Sequence, residues 1–186
     1  MTGYLWPPAN RVVATPEGMH TLGIELAAIL RAGDLVVLSG PLGAGKTTLT
    51  RGIGDGLQVR GPVTSPTFVL ARTHPSLVGG APLVHVDAYR LGSALELDDL
   101  DIDFERSVVV VEWGSGMLDG VAESWLEVQI ERPMGRDESG PAAGGESDEE
   151  PGSEPEPQSD YEYDEDEPRT VTVEGFGPRW RSAQPA

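Results

Sequence analysis

The run Leu35-Val36-Val37-Leu38-Ser39 leads straight into Gly40-Pro41-Leu42-Gly43-Ala44-Gly45-Lys46-Thr47, and that junction leaves the chain few folds to choose from. The second stretch satisfies G-x-x-x-x-G-K-[ST], the phosphate-binding loop. In it, successive backbone N–H groups curl around the α- and β-phosphates, and the lysine ammonium reaches the β/γ-oxygens. The hydroxyl of the last residue ligates Mg²⁺. Glycines are needed because a Cβ would hold the backbone away from the phosphates. Lys46 is the sole lysine beside twelve arginines. An ammonium on a thin stem thus stands where a wide planar guanidinium fits poorly. We expect it to be a surface group.

The flanks agree with the motif. A short continuous apolar run suits a buried parallel strand. Thr47-Thr48-Leu49-Thr50-Arg51-Gly52-Ile53-Gly54 reads as a helix whose N-terminal dipole faces the phosphates. Further strands are expected at Arg11-Val12-Val13-Ala14, Phe68-Val69-Leu70-Ala71-Arg72, Leu83-Val84-His85-Val86-Asp87, Val108-Val109-Val110-Val111-Glu112 and Trp125-Leu126-Glu127-Val128-Gln129-Ile130. Thr15 caps a helix that has Pro16 at its first position and Met19, Leu22, Leu26 and Ile29 on one face. Residues 93–100 are a further helical segment. The class is therefore α/β, P-loop NTPase-like, with a mostly parallel sheet flanked by helices.

Charge divides the chain. The formal net charge is −18, and residues 135–168 hold 14 acidic side chains against one arginine. Tyr161 and Tyr163 are the only large side chains there, too little apolar surface to offset the entropy of ordering. This segment is expected to be a disordered acidic insertion, either merely solvated or an interaction or autoinhibitory element. Arg169-Thr170-Val171-Thr172-Val173-Glu174 alternates like a strand after it, so the insertion interrupts a hairpin or sheet connection. The domain is read as 10–134 plus 169–176, with 177–186 as a flexible tail. The acidic balance argues against direct binding to a nucleic-acid backbone, which needs clustered Lys and Arg. Zero cysteines exclude disulfides and thiolate metal sites. No leader-like N-terminus and no membrane-length apolar run is present, so a cytoplasmic protein without membrane contact is expected.

Two apolar runs end in an acid, Asp87 and Glu112. A strand can deliver a carboxylate to Mg²⁺ or to an attacking water in this way, although either acid alone could be an ordinary strand-end carboxylate. No Asn-Lys-x-Asp guanine-reading motif exists, since Lys46 is the only lysine. That favours ATP over GTP.

Val63-Thr64-Ser65-Pro66-Thr67-Phe68, His85-Val86-Asp87-Ala88-Tyr89-Arg90-Leu91 and Val111-Glu112-Trp113 follow the Gly-Ala-Gly-Lys-Thr-Thr loop in that order. This set closely resembles the TsaE family, from about Val12 to about Gly175 with the acidic insertion set aside. The resemblance implies a small ATPase that supports TsaB and TsaD in making the threonylcarbamoyl modification of adenosine 37 in tRNAs reading ANN codons. In such a system tRNA is contacted only indirectly, through those partners. It also implies that Gly43, Ala44, Gly45, Lys46, Thr47 and Thr48 bind the phosphates, and that Thr47 and Glu112 hold the metal. Asp87 takes the place of a Walker-B-like acid, and Ser65 and Thr67 belong to a switch-like loop near the γ-phosphate. Glu17 and Arg169 fall near positions that touch the nucleoside. Pro41 departs from the acidic or polar residue usual in the family, but leaves the phosphate-facing amides intact. Trp113 and Tyr89 either shape a partner face or are ordinary core or rim aromatics, and His85 reads as a packed strand residue. No arginine finger supplied in place is apparent. The rival reading, a P-loop small-molecule kinase, needs an arginine-bearing lid, and the only candidate lid is acidic.

Overall fold

The computed structural model describes residues 9–66, 69–91, 100–113, 122–132 and 167–180. Its elements run β1 (Ala9–Val13), α1 (Pro16–Ala27), β2 (Leu35–Ser39), α2 (Lys46–Gly56), β3 (Ala71–His74), β4 (Leu83–Asp87), a 3₁₀ turn (Ala88–Arg90), β5 (Val108–Glu112), β6 (Trp125–Glu131) and β7 (Arg169–Phe176). The seven strands form one sheet in the order β1-β7-β6-β2-β5-β4-β3. At its centre β6, β2, β5 and β4 are mutually parallel. The pairings β1–β7, β6–β7 and β3–β4 are antiparallel. The α/β class is as expected, but the sheet is mixed rather than mostly parallel, and the parallel part is the core that carries the loop. At the β3–β4 edge the two strands are joined by a short link without a helix, which an antiparallel pair allows.

Burial explains why the central strands read as unbroken apolar runs. Val36, Leu38, Val108, Val110, Val128 and Ile130 face one side and pack with Met19, Leu22, Leu26, Leu49 and Ile53 of the two helices. Leu35, Val37, Val84, Val86, Val109 and Val111 face the other side, against Ile102, Phe104 and Trp125. Strands covered on both faces cannot alternate apolar with polar. Both described α-helices lie on the first face, and they approach closely. A Cβ on Gly52 would sit 2.0 Å from the His20 carbonyl oxygen, and one on Gly23 would sit 2.3 Å from that of Leu49. The helix expected over 93–100 falls, apart from Leu100, outside the described residues.

Local signals hold at most boundaries. Thr15 caps α1, its hydroxyl accepting from Gly18 N at 3.1 Å, with Pro16 in the first turn. The strand expected from Phe68 starts instead at Ala71. Val69 and Leu70 donate their amides to Pro66 O at 2.9 Å, and Leu70 turns through φ +62, so the chain closes a turn before it can extend. Residues 135–166 lie outside the described residues. Their two roots are the neighbouring strands β6 and β7, in register Glu131↔Thr170, so the segment does interrupt a hairpin-like connection.

The chain after β7 is not a free tail from residue 177 onward. Arg179 donates through Nε to Asp34 at 3.2 Å and through Nη2 to Ile29 O at 3.0 Å, and Trp180 is 8% exposed within the helix-side core. One tryptophan in a short polar segment has no periodicity to read, so local pattern did not disclose this packing.

Candidate functional site

The phosphate loop, Asp87 and Glu112 belong to one rim, the C-terminal ends of β2, β4 and β5. Among open parallel sheets that rim is where ligands bind. The loop leaves β2 at Gly40, a position open only to glycine. It has φ +153, and a Cβ there would meet Ile130 O at 2.5 Å. Gly45 caps α2 in the left-handed region at φ +107, without a side-chain cap, so the helix N-terminus presents bare amides. Ala44 is fully buried, while Gly43 is exposed and Thr47 and Thr48 are half-buried.

Lys46 is not a surface group: it is 5% exposed. Its ammonium donates to Gly40 O at 2.8 Å and Pro41 O at 2.9 Å, and lies 3.7 Å from the centroid of the Trp113 ring. Burial pushes its pKa below the ordinary lysine value, and the negative charges of Glu112 and Asp87 oppose that shift. The loop's own carbonyls and an indole face thus hold the cation without nucleotide. Trp113 reaches this place because its backbone turns at φ +65 directly after β5, while its amide still donates to Leu38 O at 2.9 Å. Tyr89, 74% exposed, meets the Trp113 ring edge-on at 5.5 Å.

Glu112 sits at the meeting point. Its register partners are Leu38 in β2 and Asp87 in β4. Its Oε1 accepts from the Thr47 hydroxyl at 3.2 Å and from His85 Nε2 at 2.8 Å. An ionised carboxylate only accepts, so Nε2 carries the proton in this contact. His85, read from sequence as a packed strand residue, is indeed fully buried, but it also holds the Glu112 carboxylate. The missed signal was spacing to a neighbouring strand, which a single run does not display. Asp87 is 5% exposed and accepts from Tyr89 N at 3.1 Å, capping the 3₁₀ turn.

The remaining expected residues divide. Ser65 is exposed in the loop before Pro66, and that loop is tied to the rim because Asp87 N donates to Leu70 O at 2.8 Å. Thr67 lies outside the described residues. Glu17 is exposed in the first turn of α1, just past the end of β1. Arg169 is fully buried at the start of β7, where it pairs with Val13, and its Nη1 donates to Glu167 O. One residue absent from the sequence reading stands beside the loop. Arg132, just past β6, places Nη1 3.8 Å from the point a Gly43 Cβ would occupy. No local signal marked it, because β6 alternates and closes on Glu131 rather than ending a continuous apolar run as β4 and β5 do.

Comparison with known proteins points the same way. The family profile described as "Threonylcarbamoyl adenosine biosynthesis protein TsaE" matches residues 13–138. The tRNA threonylcarbamoyladenosine biosynthesis protein TsaE of Streptomyces coelicolor is 51% identical over 168 residues, 89% of this chain and 95% of that protein. Its namesake in Mycobacterium tuberculosis (strain H37Rv) is 55% identical over 125 residues, covering 62% and 74%. The one in Bacillus subtilis is 36% identical over 120 residues, covering 63% and 73%. Among solved structures, the crystal structure of Bacillus subtilus YdiB aligns with a TM-score of 0.61 at 25% identity, covering 96% of this chain and 92% of that one.

Proposed function

This chain belongs to the TsaE family, and from that premise we propose that it is an ATPase serving the threonylcarbamoyl modification of adenosine 37 in tRNAs reading ANN codons. We place it with a TsaB–TsaD-like pair in the cytoplasm. The observation that carries the reading is the convergence of Lys46 and Thr47 at the start of α2 with Glu112 at the end of β5. Relatives carrying the biosynthesis name support the pathway.

The residues fit an oxygen-preferring metal. Thr47 Oγ1 and Glu112 Oε1 are 3.2 Å apart at the mouth of the loop. Among the described residues, no group of three His, Cys, Asp or Glu gathers to form a self-sufficient cage. A cation held by one carboxylate, one hydroxyl and the substrate phosphates is the pattern Mg²⁺ adopts. Bound there, Mg²⁺ would neutralise charge on the β- and γ-oxygens. Lys46 would leave Gly40 O and Pro41 O for the phosphates, and the amides from Gly43 to Thr48 would cradle them. Asp87 stands beside Glu112 in the sheet, and its role in this reading is to orient water at the rim. His85 fixes the Glu112 carboxylate.

The net charge of −18 supports tRNA contact through the partners rather than through this chain. No helix among the described residues is long and apolar enough to cross a membrane. The test is ATP turnover by the chain alone and mixed with the partner pair. Free phosphate released slowly alone and faster in the mixture supports the reading. A phosphorylated metabolite instead would establish the kinase alternative, and binding without turnover would make the chain a scaffold.

A further inference from the structure

We propose that Arg132 is a nucleotide-contacting arginine, held over the phosphate loop by Glu167, and that bound nucleotide competes with Glu167 for its guanidinium. The inference rests on the ATP-binding reading and adds a residue to that site. Three observations carry it.

The first is position. Ile130 O lies against Gly40, so the exit of β6 is fixed beneath the loop, and Arg132 follows two residues later. Its Nη1 comes within 3.8 Å of the Cβ position of Gly43, whose φ of +73 and missing side chain leave the approach open. Gly43 belongs to the run of amides that face phosphate in a loop of this kind.

The second is the grip. Nη2 and Nε of Arg132 donate to the same Glu167 oxygen at 2.9 and 3.0 Å. A guanidinium fork that holds a carboxylate oxygen in this way holds a phosphate oxygen equally well.

The third is the balance of charge. The pair is neither sealed nor free, with side-chain exposures of 35% and 29%. Glu167 follows Asp164-Glu165-Asp166 in the chain. A polyphosphate arriving beside Gly43 repels that carboxylate and attracts Arg132, so exchange of partner is electrostatically favoured. The two residues also close the roots of the acidic segment, since Arg132 follows β6 and Glu167 precedes β7.

The experiment is titration calorimetry of the full chain with ATP, ADP and AMP, for wild type, Arg132→Ala, Arg132→Lys, Glu167→Gln and the double variant Arg132→Ala/Glu167→Gln. Melting temperatures are recorded in parallel. We expect Arg132→Ala to weaken ATP and ADP binding about 10-fold or more, the loss of one charge-assisted contact, and AMP binding less. Arg132→Lys falls between. Glu167→Gln tightens ATP binding, and the double variant behaves as Arg132→Ala does. If the pair only ties the segment together, both single variants lower the melting temperature and leave the affinities at wild-type values, which overturns the proposal. Loss of ATP binding in Lys46→Ala with none in Arg132→Ala would sink this inference and spare the ATP-binding reading. Absence of ATP binding in the wild type would remove both.

Discussion

His85 Nε2 lies 2.8 Å from Glu112 Oε1, linking a fully buried imidazole in β4 to a carboxylate at the rim of β5. The same oxygen takes the Thr47 hydroxyl. Residues that orient a metal-binding carboxylate typically matter about 10–100-fold to activity. His85→Gln should therefore lower Mg²⁺-dependent turnover by that order while leaving ATP affinity within a few fold. Glu112→Gln should lower turnover further, and Asp87→Asn should also be damaging. Wild-type Mg²⁺ dependence in Glu112→Gln and Asp87→Asn together would refute the metal site.

Lys46→Ala should abolish productive ATP binding in calorimetry. The ammonium is buried, but its contacts are two loop carbonyls and the Trp113 ring rather than the core. A melting temperature close to wild type is expected. Full binding and hydrolysis by this variant would show that the loop does not hold phosphate.

Removing residues 134–165 and joining the ends through a short Gly/Ser turn should preserve folding and ATP binding. The ends are already neighbours, since β6 and β7 are paired and Arg132 meets Glu167 at 2.9 Å. Closure entropy grows only slowly with the length of a connection, so shortening this one changes it little. A large drop in melting temperature would show that this segment contributes to the core.

Gly52→Ala should be severely destabilising, by about 2 kcal/mol or more, because the added methyl meets backbone 2.0 Å away. Gly61→Ala is the control, with φ +77 but nothing within 4 Å, so it should cost only about 1 kcal/mol of backbone strain. Urea denaturation of the two variants measures the difference. Equal losses would mean that the α1–α2 approach is not tight.

His74 supplies a pH signature. Burial lowers its pKa below the ordinary value of 6.5, the bond to Arg60 O opposes the shift, and His85 and Arg72 add to it. Below that ordinary value the unfolded chain takes up a proton that the folded state resists, so stability falls as pH drops until the folded pKa is passed. His74→Gln should flatten that part of the urea-midpoint profile relative to wild type. Parallel profiles would refute the assignment.

What the sequence disclosed, and what it hid, follows from the range of each interaction. The loop, the cap at Thr15 and the acids ending β4 and β5 are written in consecutive residues, and each stands at its expected place. The hairpin-like connection around the acidic segment was legible from alternation in β7. The Trp113 ring over Lys46, the His85–Glu112 contact and Arg132 above Gly43 depend on strand order, which no local pattern encodes. The late start of β3 was hidden for a different reason. Leu70 adopts a positive φ that its side chain gives no reason to expect.

The order of strands also sets an order in time. Among the described strands β1 pairs with β7 alone, Ala9 opposite Val173 and Val13 opposite Arg169. The first of these described strands must therefore wait for the last, while the centre of the sheet and the phosphate loop can assemble before that edge is joined. Arg179 and Trp180, which pack onto that assembled body, arrive later still. A nascent chain stopped before residue 169 would carry the loop but expose the edge of β6 that β7 covers, an open template for pairing with another chain. Arrival of β7, rather than formation of the loop, is the event that seals the sheet.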